Sequence, residues 1–123
     1  MKPPLETVRV SERGREILIT LKRKTGIENW NVLCRWALCE SLANKNKPVV
    51  GAGGPESNIE MKWEVFAGDC SNALVALFAH RAALDSISQD RHELGAYFRA
   101  HLERGISQLQ SVTDLAGLLQ RAL

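Results

Sequence analysis

The stretch from Trp30 to Leu42 restricts the fold of this chain more than any other. Read as a helix at about 100° per residue, it places Trp30, Val32, Leu33, Cys34, Trp36, Ala37, Leu38, Cys39 and Leu42 around most of the circumference. Only Asn31, Arg35, Glu40 and Ser41 interrupt them. A helix that is apolar nearly all round must be covered nearly all round. The chain has 123 residues, enough for one domain spanning 1–123 and not for two. Such a small domain rarely encloses a whole helix alone, so the segment predicts a partner subunit. Trp30, Leu33, Trp36 and Leu38 are the expected interface of a homo-oligomer.

The flanking segments predict a mainly α fold with one or two short strands. Val8 and Val10 alternate with Thr7 and Arg9, which predicts a strand. Ser11 then reads as a helix N-cap, with Glu12 in the first turn. Gly14, Ile17, Leu18, Leu21 and Thr25 share one helical stripe, and Gly26 suits the residue that ends the helix. Asn29 is the expected cap of the next helix. Residues 7–44 therefore form a strand-helix-helix unit, and 45–58, with three glycines and two prolines, form a loop. Beyond it, residues 59–123 supply a second strand and further helices. Ile59, Met61, Trp63 and Val65 alternate with Glu60, Lys62 and Glu64, which predicts a strand through Val65. Gly68-Asp69 is expected to end that strand and cap a helix over about 71–86. Asp90 opens another helix, with Leu94, Phe98, Leu102, Ile106 and Leu109 as its core stripe. Thr113 or Asp114 caps a last short one carrying Leu115, Leu118 and Leu119.

Little in the chain points to catalysis. Val49-Val50-Gly51-Ala52-Gly53-Gly54 has the glycines of a phosphate loop, but Pro55 and an alternating segment follow instead of the helix that such a loop needs. His80, His92 and His101 share no metal-binding spacing with one another or with Cys34, Cys39 and Cys70. His101 reads as a packed histidine beside a core stripe, and Cys34 and Cys39 as small hydrophobes. Asp69 and Asp90 read as helix caps rather than acid–base groups. No metal or other cofactor is expected, and the chain is not expected to be an enzyme. Three cysteines, an odd number without short paired spacing, and a Met-Lys-Pro-Pro start without an apolar run behind it predict a cytoplasmic protein. The longest apolar run, Ala73–Ala79, is too short for a membrane span.

Charge is where a function begins to show. Residues 1–47 hold ten Lys and Arg against five acids, while the remainder holds six against nine. A basic half suggests a polyanionic partner. Arg13, Arg15, Lys22, Arg23 and Lys24 lie on the flanks of the first helix, and Lys45 and Lys47 follow the second. These seven are the candidate DNA contacts, acting as point charges on phosphates without reading bases. The strand-helix-helix order across 7–42 is similar to a ribbon-helix-helix unit, in which two chains pair their strands and residues such as Thr7 and Arg9 face a groove of DNA. A transcription regulator is therefore one rival reading; a strand nickase and an assembly scaffold are others.

A closer likeness lies in two blocks. Val8-Arg9-Val10-Ser11, Leu21-Lys22, Thr25-Gly26-Ile27, Leu33-Cys34-Arg35-Trp36-Ala37-Leu38 and Ser41-Leu42 make up the first, and Asn58 through Gly68 (NIEMKWEVFAG) the second. In that order and at that chain length they resemble the DndE family of DNA sulfur modification, over about residues 7–85. The resemblance implies a small accessory protein of the system that replaces a non-bridging phosphate oxygen of DNA with sulfur. Other members supply the sulfur, the iron–sulfur chemistry and the ATPase. It also implies association with those proteins, a homotetramer, and affinity for duplex DNA, notably nicked duplex, through surface basic residues.

Overall fold

The computed structural model describes residues 2–51 and 53–122. Strand β1 (Thr7–Ser11) leads into α1 (Glu12–Thr25), and a short turn joins this to α2 (Trp30–Ala43). A long connection reaches strand β2 (Glu56–Lys62). It is followed by α3 (Trp63–Ala67), a 3-10 turn at Gly68–Cys70, and α4 (Ser71–Leu84). The chain ends with α5 (Arg91–Gln108) and, after a second 3-10 turn, α6 (Leu115–Gln120).

The first helix forms as its residues dictate. The Ser11 hydroxyl accepts from the Gly14 N–H at 2.9 Å, which satisfies one of the donors left free at a helix start. Gly14, Ile17, Leu18, Leu21 and Thr25 are its buried residues, the stripe read from the sequence. Gly26 ends it with φ +78° and donates to the Lys22 carbonyl, a conformation that costs glycine nothing. Asp90 and Asp114 likewise cap α5 and α6 by accepting from Glu93 N–H and Gly117 N–H. Asp69 does not cap α4: it lies in the 3-10 turn, and Cys70, at the cap position, makes no side-chain cap bond.

Two expectations about the strands need correction. The ribbon is made within one chain, because β1 pairs antiparallel with β2, with Val8 opposite Met61 and Arg9 opposite Glu60. The register slips between Arg9 and Ser11. There the Ser57 hydroxyl donates to the Val10 carbonyl and accepts from the Ile59 N–H. The second strand also starts three residues earlier than expected and stops at Lys62, and Trp63–Ala67 is helical. Trp63, Phe66 and Ala67 are buried there at helical spacing, while Val65 stays 54% exposed. An alternation that ran on through Val65 by chance concealed the change of period.

The buried apolar residues form one cluster. Trp63, Phe66, Phe78, Tyr97 and Phe98 meet in it with ring centroids 5.2–5.6 Å apart, in the tilted and edge-on arrangements that aromatic rings prefer. The same cluster answers how α2 is covered. Leu33 and Leu38 are fully buried inside their own chain, with α5 as the main neighbour. They therefore offer nothing to a second subunit, and the interface expected at them is withdrawn. Trp30 and Trp36 are half-buried against the same core. Cys39 of α2 is exposed, and the large apolar residues left outside lie elsewhere, notably Leu77 and Leu84 on α4, at 51% and 67% exposure.

Candidate nucleic-acid interface

The capped start of α1 does more than begin a helix. Glu103 reaches it from α5, 92 residues away in sequence, and accepts from both the Ser11 hydroxyl and the Ser11 N–H. Gly14 leaves room for this, since a Cβ there would lie 2.8 Å from Val10 Cγ1 and 3.1 Å from Glu103 Oε1. Between this junction and the glycine loop opens a groove of about 610 Å³. Its floor is Val10, Ser11, Gly14 and Ile17. Its wall is the α5 face carrying Ala96, Arg99, Ala100, Glu103 and Ser107, and its cover is Val49–Gly51, Gly53 and Gly54.

Four arginines from three elements line this groove: Arg9 from β1, Arg13 from α1, and Arg99 and Arg104 from α5. Their commitments differ. Arg9 pairs with Glu56 at 3.5 Å and Glu60 at 3.3 Å, all on the surface, where such pairs contribute little. Arg104 is tied into the fold, donating to the Ser41 hydroxyl at 2.8 Å and to the carbonyls of Ser41 and Asn46 at 2.9 and 2.6 Å. Arg13 and Arg99 make no hydrogen bond or ion pair among the described residues, and both are exposed.

The other expected contacts are scattered. Arg15 borders a separate shallow depression with Glu12, Glu16, Ser57 and Asn58. Arg23 and Lys24 are in the last turn of α1, roughly 15 Å along the axis from Arg13 at 1.5 Å per residue. Lys22 is there too, with its ammonium 4.8 Å from the centroid of the Trp30 ring, a cation–π contact. Lys45 and Lys47 are exposed in the connection after α2. Of the seven, Arg13 alone lines the groove.

Behind the groove lies a buried polar layer that anchors its cover. Arg81 of α4 donates to the carbonyls of Leu42, Asn44 and Asn46, and the His101 ring nitrogen Nδ1 is 2.8 Å from the Ser41 hydroxyl. Burial, then the guanidiniums of Arg104 and Arg81, push the His101 imidazole down to about 4, with Asp85 pulling the other way. His101 is therefore neutral near pH 7. The unfolded chain takes up its proton through the ordinary value of 6.5, which the folded chain resists until about 4. Stability from this group is thus complete above pH 6.5 and is lost as pH falls towards 4. The expected loss between pH 7 and pH 4.5 is about 2–3 kcal/mol. Urea unfolding at the two pH values should show it, and His101→Gln should remove that part of the acid sensitivity. An equal loss in the variant would refute the assignment. Cys34 is chemically quiet, since burial, with Glu103 adding to it, raises its thiol to about 12.

The family described as DNA sulphur modification protein DndE matches residues 7–116, which take in every element that walls the groove. The chain belongs to the DndE family. No curated protein matches it. Membership in the DndE family ties the chain to DNA sulfur modification. Among the described residues of this DndE-family chain, no helix is long and apolar enough to cross a membrane, and no group of three or more His, Cys, Asp or Glu could hold a metal ion.

Proposed function

We propose that the protein is a non-catalytic accessory factor of DNA sulfur modification that holds duplex or nicked DNA by its phosphates, as an oligomer working with the other Dnd proteins in the cytoplasm. The convergence of Arg9, Arg13, Arg99 and Arg104 on one groove carries the reading. Folding that gathers like charges from distant parts of a chain gains nothing from their mutual repulsion, so a counter-charge from outside is the natural use of Arg13 and Arg99. The exposed cations Arg15, Arg23, Lys45 and Lys47, with the partly buried Lys22 and Lys24, extend the positive surface along a phosphate backbone. Copies meet, as a tetramer, through apolar surface that the fold leaves open, for which Leu77 and Leu84 with Ala73, Ala76 and Ala83 on the outer side of α4 are suited.

Fluorescence anisotropy of a labelled duplex across a salt series tests this, with the solution mass measured alongside. Each phosphate neutralised contributes about 0.9 to the slope of log K against log salt. Arg13→Gln with Arg99→Gln should weaken binding and flatten the slope by about two for each subunit that touches the DNA. Lys22→Gln with Arg23→Gln reports on the far end of α1 in the same way. No binding at low salt, or slopes unchanged in both double variants, would overturn the reading.

A further inference from the structure

The shape of the arginine groove says more than its charge. A space of about 610 Å³ is within the range of small-ligand pockets, roughly 300–1,000 Å³. It is roughly 8 Å across if equidimensional, and a duplex is wider than its own major groove of about 12 Å, so a duplex can meet the exposed Arg13 and Arg99 at the rim but cannot enter. A single nucleotide can. We propose that this groove binds a terminal phosphate, a phosphate monoester with its nucleoside, supplied either by the end of a DNA strand or by a free mononucleotide. The inference rests on the reading that the groove meets nucleic-acid phosphate, and it deepens it.

Charge balance favours a monoester over the internal diesters of a continuous strand. Four arginines line the groove against Glu56 and Glu103, an excess of two positive charges. A monoester carries about −1.5 to −2 at pH 7, whereas each diester carries one negative charge. Glu103 does not close the site to an anion, because both its oxygens already accept from Ser11. Arg9 is held by Glu56 and Glu60 at the edge. Arg13 and Arg99 stand on different elements with their forks uncommitted, and a guanidinium presents paired donors that match phosphate oxygens.

The remaining surface suits what a terminal phosphate carries with it. Val10, Ile17, Ala96 and Ala100 are apolar lining with no charge to satisfy. Val49 and Val50, at 79% and 48% exposure, line the same groove from the loop. Exposed valines on a glycine loop gain nothing from water, and the sugar and base of a nucleotide would cover them. Gly51 and Gly54 hold φ of +93° and +72°, with open space where a Cβ would stand, so the loop backbone can approach a ligand closely.

Titration calorimetry on the whole protein with 2′-deoxyadenosine 5′-monophosphate, deoxyadenosine and inorganic phosphate tests the site. Nicked duplexes bearing a 5′-phosphate or a 5′-hydroxyl at the break test the source. The nucleotide should bind one site per chain at least tenfold more tightly than either the nucleoside or inorganic phosphate. Arg13→Gln and Arg99→Gln should each weaken it about tenfold or more, the effect of losing a charge-assisted hydrogen bond. Both side chains are exposed and unbonded, so the variants should keep the wild-type unfolding midpoint. A tenfold preference for the phosphorylated nick, lost in the same variants, assigns the site to strand ends. Nucleotide binding without that preference assigns it to free nucleotides. If the nucleotide binds no better than inorganic phosphate and the nick phosphate is ignored, while intact duplex still binds with its salt slope, this inference fails and the proposed function stands. If intact duplex is not bound either, both fail.

Discussion

Gly105→Ala should destabilise the protein by at least about 3 kcal/mol. Gly105 is buried in the last turn of α5, where that helix packs against α2. A Cβ there would fall within the carbonyl group of Ala37 and 3.1 Å from the Ala37 Cα. Alanine is the better helix former by about 1 kcal/mol, so an uncrowded site would gain from the change. Here the obstacle is backbone, which cannot rotate aside as a side chain can. The helices must separate, and the fully buried Leu33, Leu38, Leu102 and Ile106 lose close contact together. Overpacking that side chains can absorb costs about 1–3 kcal/mol, and this case lies at or beyond the upper end. A net loss of at least about 3 kcal/mol should lower the urea midpoint by more than about 1 M. Ala37→Gly should not rescue it, because the clash is with the peptide group and not with the Ala37 methyl. A variant within about 1 kcal/mol of wild type would show that the helices do not cross this closely.

That crossing also shows what the sequence could and could not reveal. Ser11, the stripe from Gly14 to Thr25, and Gly26 define α1 completely, because each acts on residues within one or two turns. Gly105 reads locally as a helix-weakening residue, and its use depends on Ala37, which is far away in sequence. The apolar girth of α2 predicts cover nearly all round by a second subunit; the chain itself, with α5 as the main neighbour, buries Leu33, Cys34, Ala37 and Leu38, while Trp30 and Trp36 are half-buried and Cys39 is exposed. The groove was half visible. Arg13 stood out in the basic first half, but Arg99 and Arg104 lie in the acidic remainder, where no local pattern marks them. A trace existed in Ala96, Arg99, Ala100, Glu103 and Ser107, small or polar residues at helical spacing beside the core stripe of α5. Only the folded chain sets that face against Arg13.

Arg81→Met should be the next most damaging change, and it reaches the groove. Helix α2 ends without a basic residue in its last turn, so its final carbonyls need donors from elsewhere. Arg81 supplies one to Leu42 and continues into the connection beyond the helix, bonding the carbonyls of Leu42, Asn44 and Asn46 at 2.9, 2.7 and 2.8 Å and Asp85 at 3.0 Å. Burial alone would raise the Asp85 carboxyl, but hydrogen bonds from Tyr97 and Arg81 hold it below its ordinary value. Methionine fills similar space and donates nothing. It leaves two carbonyls without their donor and a nearly buried carboxylate without its cation. Asn46 keeps Arg104, and Asp85 keeps the Tyr97 hydroxyl. Breaking a buried pair from one side costs about 3–5 kcal/mol, and slight water access at Arg81 and Asp85 places the expected loss near 3. Arg81→Lys should recover only part, since one ammonium cannot reach four acceptors in a fork. Asn44–Asn46 is also the root of the glycine loop, so amide hydrogen exchange over residues 44–54 should quicken more than at the α6 end of the chain. Phosphate binding at the groove should then weaken even where Arg13 and Arg99 are intact. A loss below about 1 kcal/mol with exchange unchanged in that loop would mean that the arginine does not tether it.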